Sequence, residues 1–194
     1  MPPGFCNTAT FSNPPASSVV DDFTTPFTDR WRPNPTLCID QVGTELVATP
    51  SNTTGQYCFA TTLGDLHLTC DSVFVRVPEV TSPVLKVQTL IYVSSLTQAV
   101  SYNLLLEGGG LQMGMATSPF DPVRDVWWRL GEHDGEVTFD ASPDGLTWRE
   151  LMRTPTPFSL DHVSISIGAG TYDTPPASPG QARFRCYNVP PPCN

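Results

Sequence analysis

Cationic side chains are scarce in this chain. Ten Lys plus Arg stand against nineteen Asp plus Glu in 194 residues, for a formal net charge of −9. An acidic surface without clustered cations repels a phosphate backbone and an anionic lipid surface alike, so nucleic acid is excluded as a partner. Long apolar runs are missing too: none approaches the roughly 20 residues of a membrane-spanning helix, and no membrane insertion is expected. Apolar residues never recur at i, i+3, i+4, i+7 for more than a turn, which removes an α-helical core. There is no Cys-x-x-Cys, no Gly-x-Ser-x-Gly elbow and no Gly-rich phosphate loop, and His67, His133 and His162 are scattered. Zinc, acyl-enzyme and nucleotide chemistry lose their usual carriers.

What is present is Thr, Ser, Val, 21 prolines and six cysteines. An even cysteine set without metal-ligand spacing favours disulfides and a secreted, extracellular or cell-surface location. Cys58 is expected to bridge to Cys70 across a short loop. The near-terminal Cys6 and Cys193 are expected to tether the ends to each other, or to Cys38 and Cys186. Pro2-Pro3-Gly4 follows Met1 where a leader would carry cations and an apolar stretch, so the chain reads as a mature secreted protein.

Two-residue alternation recurs along most of the chain. It predicts strands over Val19 to Phe23, Leu37 to Asp40, Glu45 to Thr49, Tyr57 to Thr61, Leu66 to Thr69, Val73 to Val77, Val84 to Val93, Ala99 to Glu107 and Leu111 to Thr117, with Gly108-Gly109-Gly110 as a turn. Val126 to Arg153 reads as three strands joined by two Asp-Gly turns, and Val163 to Ala169 and Ala182 to Val189 complete the set. About a dozen strands at 8–12-residue spacing specify an all-β, two-sheet antiparallel sandwich of jelly-roll type. The expected organisation is an extended Pro/Ser/Thr-rich segment over 1–18, one domain over 19–189 and a Pro-rich tail over 190–194.

Parity assigns faces. The more apolar parity buries Leu85, Val87, Ile91 and Val93; Val100, Tyr102, Leu104 and Leu106; Leu111, Met113 and Met115; Val126, Trp128 and Leu130; Val137, Phe139 and Ala141; and Val163, Ile165 and Ile167. The opposite parity carries Lys86, Gln88 and Tyr92; Asn103 and Glu107; Gln112; Trp127 and Arg129; Thr138 and Asp140; and Ser164 and Ser166. That second face is polar with aromatic punctuation.

The early Asp21-Asp22-Phe23 with a following Trp31, the many alternating strands and the late Trp-Trp-Arg-Leu-Gly-Glu with Ser-Pro-Asp-Gly-Leu-Thr-Trp resemble the concanavalin A-like lectin/glucanase superfamily. More narrowly, they resemble the laminin G-like jelly-roll domains of secreted bacterial proteins. The resemblance spans roughly residues 19–189 and is sharpest from Trp127 to Trp148. It implies two stacked antiparallel sheets, one of them concave, with carbohydrate binding or glycoside hydrolysis as recurring functions.

Two motifs in this stretch bear on chemistry. Glu132-His133-Asp134-Gly135-Glu136 has the Glu-x-Asp-x-Glu spacing of family 16 glycoside hydrolases, in which nucleophile and acid/base project from one strand. Retaining hydrolysis needs two carboxyls about 5–5.5 Å apart. In those enzymes the intervening residues are apolar, whereas His133 and Gly135 stand here, and His-Asp-Gly is a hairpin turn. Ser142-Pro143-Asp144-Gly145-Leu146-Thr147-Trp148 resembles a sialidase Asp-box but lacks one residue between Asp and Gly and occurs once. It reads as a turn capped by Ser142, with Trp148 at the sandwich edge.

Asp21, Asp22, Asp65, Asp71 and Asp173 are candidate oxygen ligands for a structural Ca²⁺, without a loop that fixes the geometry. No other cofactor is expected. Asn52-Thr53-Thr54 is a glycosylation sequon in a loop.

These observations favour a noncatalytic extracellular recognition domain that binds glycans or a cell-surface component on its polar face. Trp127 or Tyr92 would stack on a sugar ring, and Gln88, Asn103, Gln112, Arg129 and Asp140 would bond its hydroxyls. The alternative is a self-associating assembly subunit of a surface layer, fibre or appendage; the third reading is a glycosidase using Glu132 and Glu136.

Overall fold

The computed structural model describes Cys6, residues 10–34 and residues 38–193. Fourteen strands form two antiparallel sheets of seven. The first sheet runs, in spatial order, through β1 (Trp31–Pro33), β4 (Tyr57–Thr62), β13 (Val163–Thr171), β6 (Val87–Ser95), β7 (Ser101–Glu107), β8 (Gly110–Met113) and β9 (Ala116–Pro119). The second runs through β12 (Arg149–Pro155), β11 (Glu136–Ser142), β10 (Trp127–His133), β5 (Ser72–Glu79), β14 (Ala182–Arg185), β3 (Glu45–Ala48) and β2 (Ile39–Val42). The fold is therefore the expected two-sheet β-sandwich. Consecutive strands β6 to β9 form one meander and β10 to β12 another, the arrangement that short Gly- and Asp-containing turns favour.

The turns follow their sequences. His133 pairs with Glu136, leaving Asp134 (φ 52°) and Gly135 (φ 87°) as a two-residue loop with both positions left-handed. Between β11 and β12, the Ser142 hydroxyl accepts from the backbone N–H of Asp144 and Gly145, and the Asp144 carboxylate accepts from those of Leu146 and Thr147 at 2.9 and 2.8 Å. Those backbone donors pull the Asp144 carboxyl down to a pKa of about 2.

Inside the strands, side chains of the expected parity fill the space between the sheets. Val87, Ile91, Val93, Leu104, Leu106, Leu111, Met113, Trp128, Leu130, Val137, Phe139, Val163, Ile165 and Ile167 are all buried, together with Trp31, Phe184 and Tyr187. Trp128 anchors the centre by donating its Nε1–H to the carbonyl of Asp125 at 2.9 Å and meeting Phe139 edge-on.

Parity fails where strands end. Leu85, Val100 and Met115, expected in the core, are exposed. Lys86 adopts φ 72°, which breaks the extended chain before β6; Val100 lies in the turn before β7; and Met115 lies in the Gly114-Met115 turn between β8 and β9. Val126 and Tyr102 are only half-buried. Val19 to Phe23, expected as the first strand, makes a single bridge, Asp21 to Tyr187, and Phe23 turns left-handed at φ 57°. Leu66 to Thr69 likewise makes only isolated bridges. Leu37 lies outside the described residues.

The disulfides join Cys6 to Cys70, Cys38 to Cys58 and Cys186 to Cys193. The expected Cys58 to Cys70 bridge does not form, because β4 carries Cys58 alongside Cys38 while the turn before β5 carries Cys70 to the N-terminal segment. Of the alternatives for the near-terminal cysteines, Cys193 to Cys186 is realised, whereas Cys6 pairs with neither Cys193 nor Cys38. The described part of the N-terminal segment lies on the domain: Phe11 stacks on His67 at 4.1 Å, and the backbone N–H of Ala16 donates to the carbonyl of His67. Three bridges suit an oxidising compartment. Among the described residues no helix is long and apolar enough to cross a membrane.

Candidate functional site

The outward face of the first sheet is shaped by its central strand. Along β13, Val163, Ile165, Ile167 and Ala169 point into the core, so Ser164, Ser166, Gly168 and Gly170 line the other face. Small side chains there leave a floor on which neighbouring rings can lie. Gly170 is in register with Tyr57 of β4 on one side and Gln88 of β6 on the other, Gly168 with Phe59 and Leu90, and Ser166 with Thr61 and Tyr92. The Tyr57 ring covers Gly170 and the Phe59 ring covers Gly168.

The result is a stepped row of three rings. Tyr57 and Phe59 have centroids 5.4 Å apart and planes inclined by 21°; Phe59 and Tyr92 have centroids 5.8 Å apart and planes inclined by 16°. These spacings are offset stacking, which leaves part of each ring uncovered. Tyr57, Phe59, Gln88, Leu90, Tyr92 and Asn103 together line a cavity of about 290 Å³. Asn103 stands directly opposite Tyr92 on β7.

One end of this groove is fixed by Glu107. Its carboxylate accepts from the backbone N–H of Lys86 at 2.8 Å, from the side-chain amide of Gln88 at 3.0 Å and from the Tyr172 hydroxyl. Burial acts to raise the Glu107 pKa, but the hydrogen bonds from Gln88, Tyr172 and Lys86 outweigh it and hold the carboxyl below its ordinary value. The Glu107 carboxylate in turn pushes the Tyr172 hydroxyl up to about 12. Because the Gln88 Nε2 is committed to Glu107, its Oε1 faces Tyr57, 3.4 Å from that hydroxyl. The groove therefore offers an oriented acceptor beside an aromatic row. Glu107 is the only acidic residue in the seven strands of this sheet.

The sequence-predicted residues divide between two faces. Tyr92, Gln88 and Asn103 converge on this groove, and Gln112 lies on β8 of the same sheet, outside the cavity lining. Trp127, Arg129 and Asp140 lie on β10 and β11 of the other sheet. Trp127 faces outward but is only 4% exposed, because Gly145 and Pro191 close over it. Arg129 is paired with Asp140 at 2.9 Å and lies 4.5 Å over the Trp148 ring. Tyr57, Phe59 and Leu90 were not singled out by sequence. Their signal was the alternation of Tyr57 and Phe59 with Cys58 and Ala60.

The Glu-x-Asp-x-Glu stretch straddles the turn between β10 and β11, and Glu132 lines a cavity of about 350 Å³ with Arg129 and Asp140. Glu132 is 3% exposed and accepts the backbone N–H of Cys70 and of Gly135, both at 2.6 Å. Glu136 lies beyond the turn and pairs with Arg153 at 2.7 Å. Each of the five candidate Ca²⁺ ligands holds a hydrogen bond or ion pair within the protein. Asp21 bonds Phe23 and Trp31, Asp22 bonds Thr24, Asp65 bonds His162, Asp71 bonds Ser17 and Asp173 bonds Lys86. Among the described residues, the sets of three metal-ligating side chains close enough to share an ion all include Cys6, whose sulfur is in a disulfide.

No protein-family model and no curated protein matches the sequence. Solved structures do match by shape. A native glycosidic hydrolase is 12% identical with a TM-score of 0.67, covering 92% of this chain and 96% of its own. A β-glucanase of Bacillus licheniformis is 8% identical with a TM-score of 0.67, covering 87% and 95%. An immunostimulatory antigen and pseudo β-1,3-glucanase of Mycobacterium tuberculosis is 11% identical with a TM-score of 0.59, covering 88% and 95%. At these identities the likeness is one of fold, the two-sheet jelly roll of the concanavalin A-like glucanases.

Proposed function

We propose that this jelly roll binds a neutral glycan in the groove of its first sheet and does not hydrolyse it. The observation that carries this reading is the row Tyr57, Phe59 and Tyr92, with Tyr57 over Gly170, Phe59 over Gly168 and Tyr92 beside Ser166. Offset rings present apolar faces to a pyranose, while the Gln88 Oε1 and the Asn103 amide offer hydrogen bonds to its hydroxyls. The neighbours in fold are glycoside hydrolases and a pseudo-glucanase, which supports a carbohydrate ligand. Retaining chemistry asks for two carboxyls about 5–5.5 Å apart. The strands of this sheet supply Glu107 alone, already holding three hydrogen bonds.

The test is affinity electrophoresis and titration against β-1,3-glucan, mixed-linkage glucan and a wider glycan array, with Phe59→Ala and Tyr92→Ala beside the unaltered chain. Saturable binding should weaken by about 30-fold or more in either variant, the size of a buried aromatic anchor at a binding site. Release of reducing ends from any bound glycan would overturn the noncatalytic reading. Absence of binding across the array would overturn the glycan reading and turn attention to assembly.

A further inference from the structure

The outer face of the second sheet holds a charge arrangement with no counterpart in the groove. β14 crosses β5 with a register shift: Arg183 stands opposite Glu79, but Arg185 stands opposite Arg76. Both arginines point away from the core, Arg76 between buried Val75 and Val77, Arg185 between buried Phe184 and Cys186. Residues directly opposite in an antiparallel pair hold their Cβ atoms about 4.5–5.5 Å apart, and like charges at such positions destabilise the sheet.

The nearby carboxylates serve this pair only in part: Glu45 is shared between Arg183 and Arg185, and no carboxylate is paired with Arg76 among the described residues. Glu79 and Glu45 both bond Arg183, at 2.8 and 2.6 Å. Arg185 reaches the Thr44 hydroxyl and approaches Glu45 at 3.6 Å, with its Nε left without a hydrogen bond. Arg76 has no ion pair or side-chain hydrogen bond among the described residues. Three guanidiniums thus share two carboxylates, in a chain with only ten cations and a net charge of −9.

Aromatic surface adjoins the pair. Phe74 lies two residues from Arg76 on the same strand face, about 7 Å away. It is half-buried against Trp148 at 6.0 Å and Trp127 at 6.2 Å. A ring and a guanidinium fork spaced by one sugar's length suit a pyranose that carries an oxoanion.

We propose that Arg76 and Arg185 seat the carboxylate or sulfate of an acidic saccharide whose ring lies on Phe74. This site is on the opposite sheet from the neutral-glycan groove and takes a ligand of the opposite character, so either can stand without the other. An acidic peptide would use the arginines but leave the ring idle, which separates the two ligand classes experimentally.

The experiment is calorimetric titration of the whole chain with an oligogalacturonate, a chondroitin sulfate hexasaccharide, inorganic sulfate and a polyglutamate peptide, at low and at raised salt. Arg76→Ala and Phe74→Leu are run beside it, with melting curves to verify folding. Arg76 has no ion pair or side-chain hydrogen bond to lose among the described residues, only its packing opposite Trp127, so Arg76→Ala is expected to melt close to the unaltered chain. At least one acidic saccharide should bind saturably, weaken with salt and lose about tenfold or more in Arg76→Ala, the loss of one charge-assisted bidentate contact. Whichever of the two saccharides binds more tightly identifies the anion. Phe74→Leu should weaken the saccharide and leave inorganic sulfate unchanged. The proposal is overturned if neither acidic saccharide binds, if Arg76→Ala binds as well as the unaltered chain, or if polyglutamate binds as tightly as the saccharides.

Discussion

The ring of Tyr57 occupies the space that a side chain at Gly170 would fill. A Cβ at position 170 would collide with the ring's Cδ1 and lie 2.5 Å from its Cε1 and 2.7 Å from its Cγ. The glycine is thus required by what lies above it and not by its own backbone conformation. Gly170→Ala should force the ring out of the row at a cost of about 1–3 kcal/mol, the usual range for overpacking. Urea unfolding should show the loss, and glycan affinity should fall with it; an unchanged midpoint with unchanged binding would show that the ring has another resting place.

Glu132 should prove to be a folding residue. Its side chain satisfies two backbone donors at the ends of a short circuit, Cys70 and Gly135. Glu132→Ala leaves both part-buried donors without that acceptor, and with a hydrogen bond to a charged group contributing about 1.5–3 kcal/mol and water able to replace part of it, the fold should lose about 1–3 kcal/mol in all. Glycan affinity of the protein that remains folded should be unaltered. Chemical denaturation and binding measured on the same preparation separate this outcome from a catalytic role.

Acid should loosen the groove. The folded state holds Glu107 below its ordinary pKa of 4.5, so above that pH the carboxylate contributes its full stabilisation. Below 4.5 the unfolded chain takes up the proton first, and the contribution is lost as the pH falls through the lower folded value. The stability gap between the unaltered chain and Glu107→Gln should therefore be level at neutral pH and close at acid pH. A gap that persists at the lowest pH where the protein folds would assign the difference to something other than ionisation.

The bridges should contribute unequally. Cys6 and Cys70 are 64 residues apart, Cys186 and Cys193 only 7. Loop-closure entropy gives about 4.3 kcal/mol for the longer loop and about 2.4 kcal/mol for the shorter. Paired Cys→Ala variants compared by denaturant midpoint should differ in that order, and the reverse order would point to native-state strain or denatured-state structure.

Much of the architecture was legible because alternation and turn chemistry agree. The meander from Trp127 to Pro155, with its Asp134-Gly135 turn and the cap at Ser142, follows from the sequence except for the register shift between Phe139 and Asp140. Side-chain parity held inside strands and failed at Leu85, Val100 and Met115, since it assumes that the chain stays extended. For the site, parity put Gln88, Tyr92 and Trp127 all on outward faces. It could not show that β6 and β10 belong to different sheets, because sheet membership is a long-range pairing. Nor could it show Pro191 and Gly145 folding over Trp127. Ser164, Ser166, Gly168 and Gly170 were visible as a run of small residues, but their role as a floor appears only once Tyr57 and Phe59 are in register with them.

Strand β13 is buried at all nine positions and paired along both edges, with β4 and with β6. Its amides should thus be among the last in the molecule to exchange with deuterated solvent, opening only when the whole domain opens. A groove founded on so slow a strand is already at rest before any ligand arrives. Little conformational freedom then remains to be surrendered on association, so occupancy should change the exchange rates of the rim and leave those of the floor as they were.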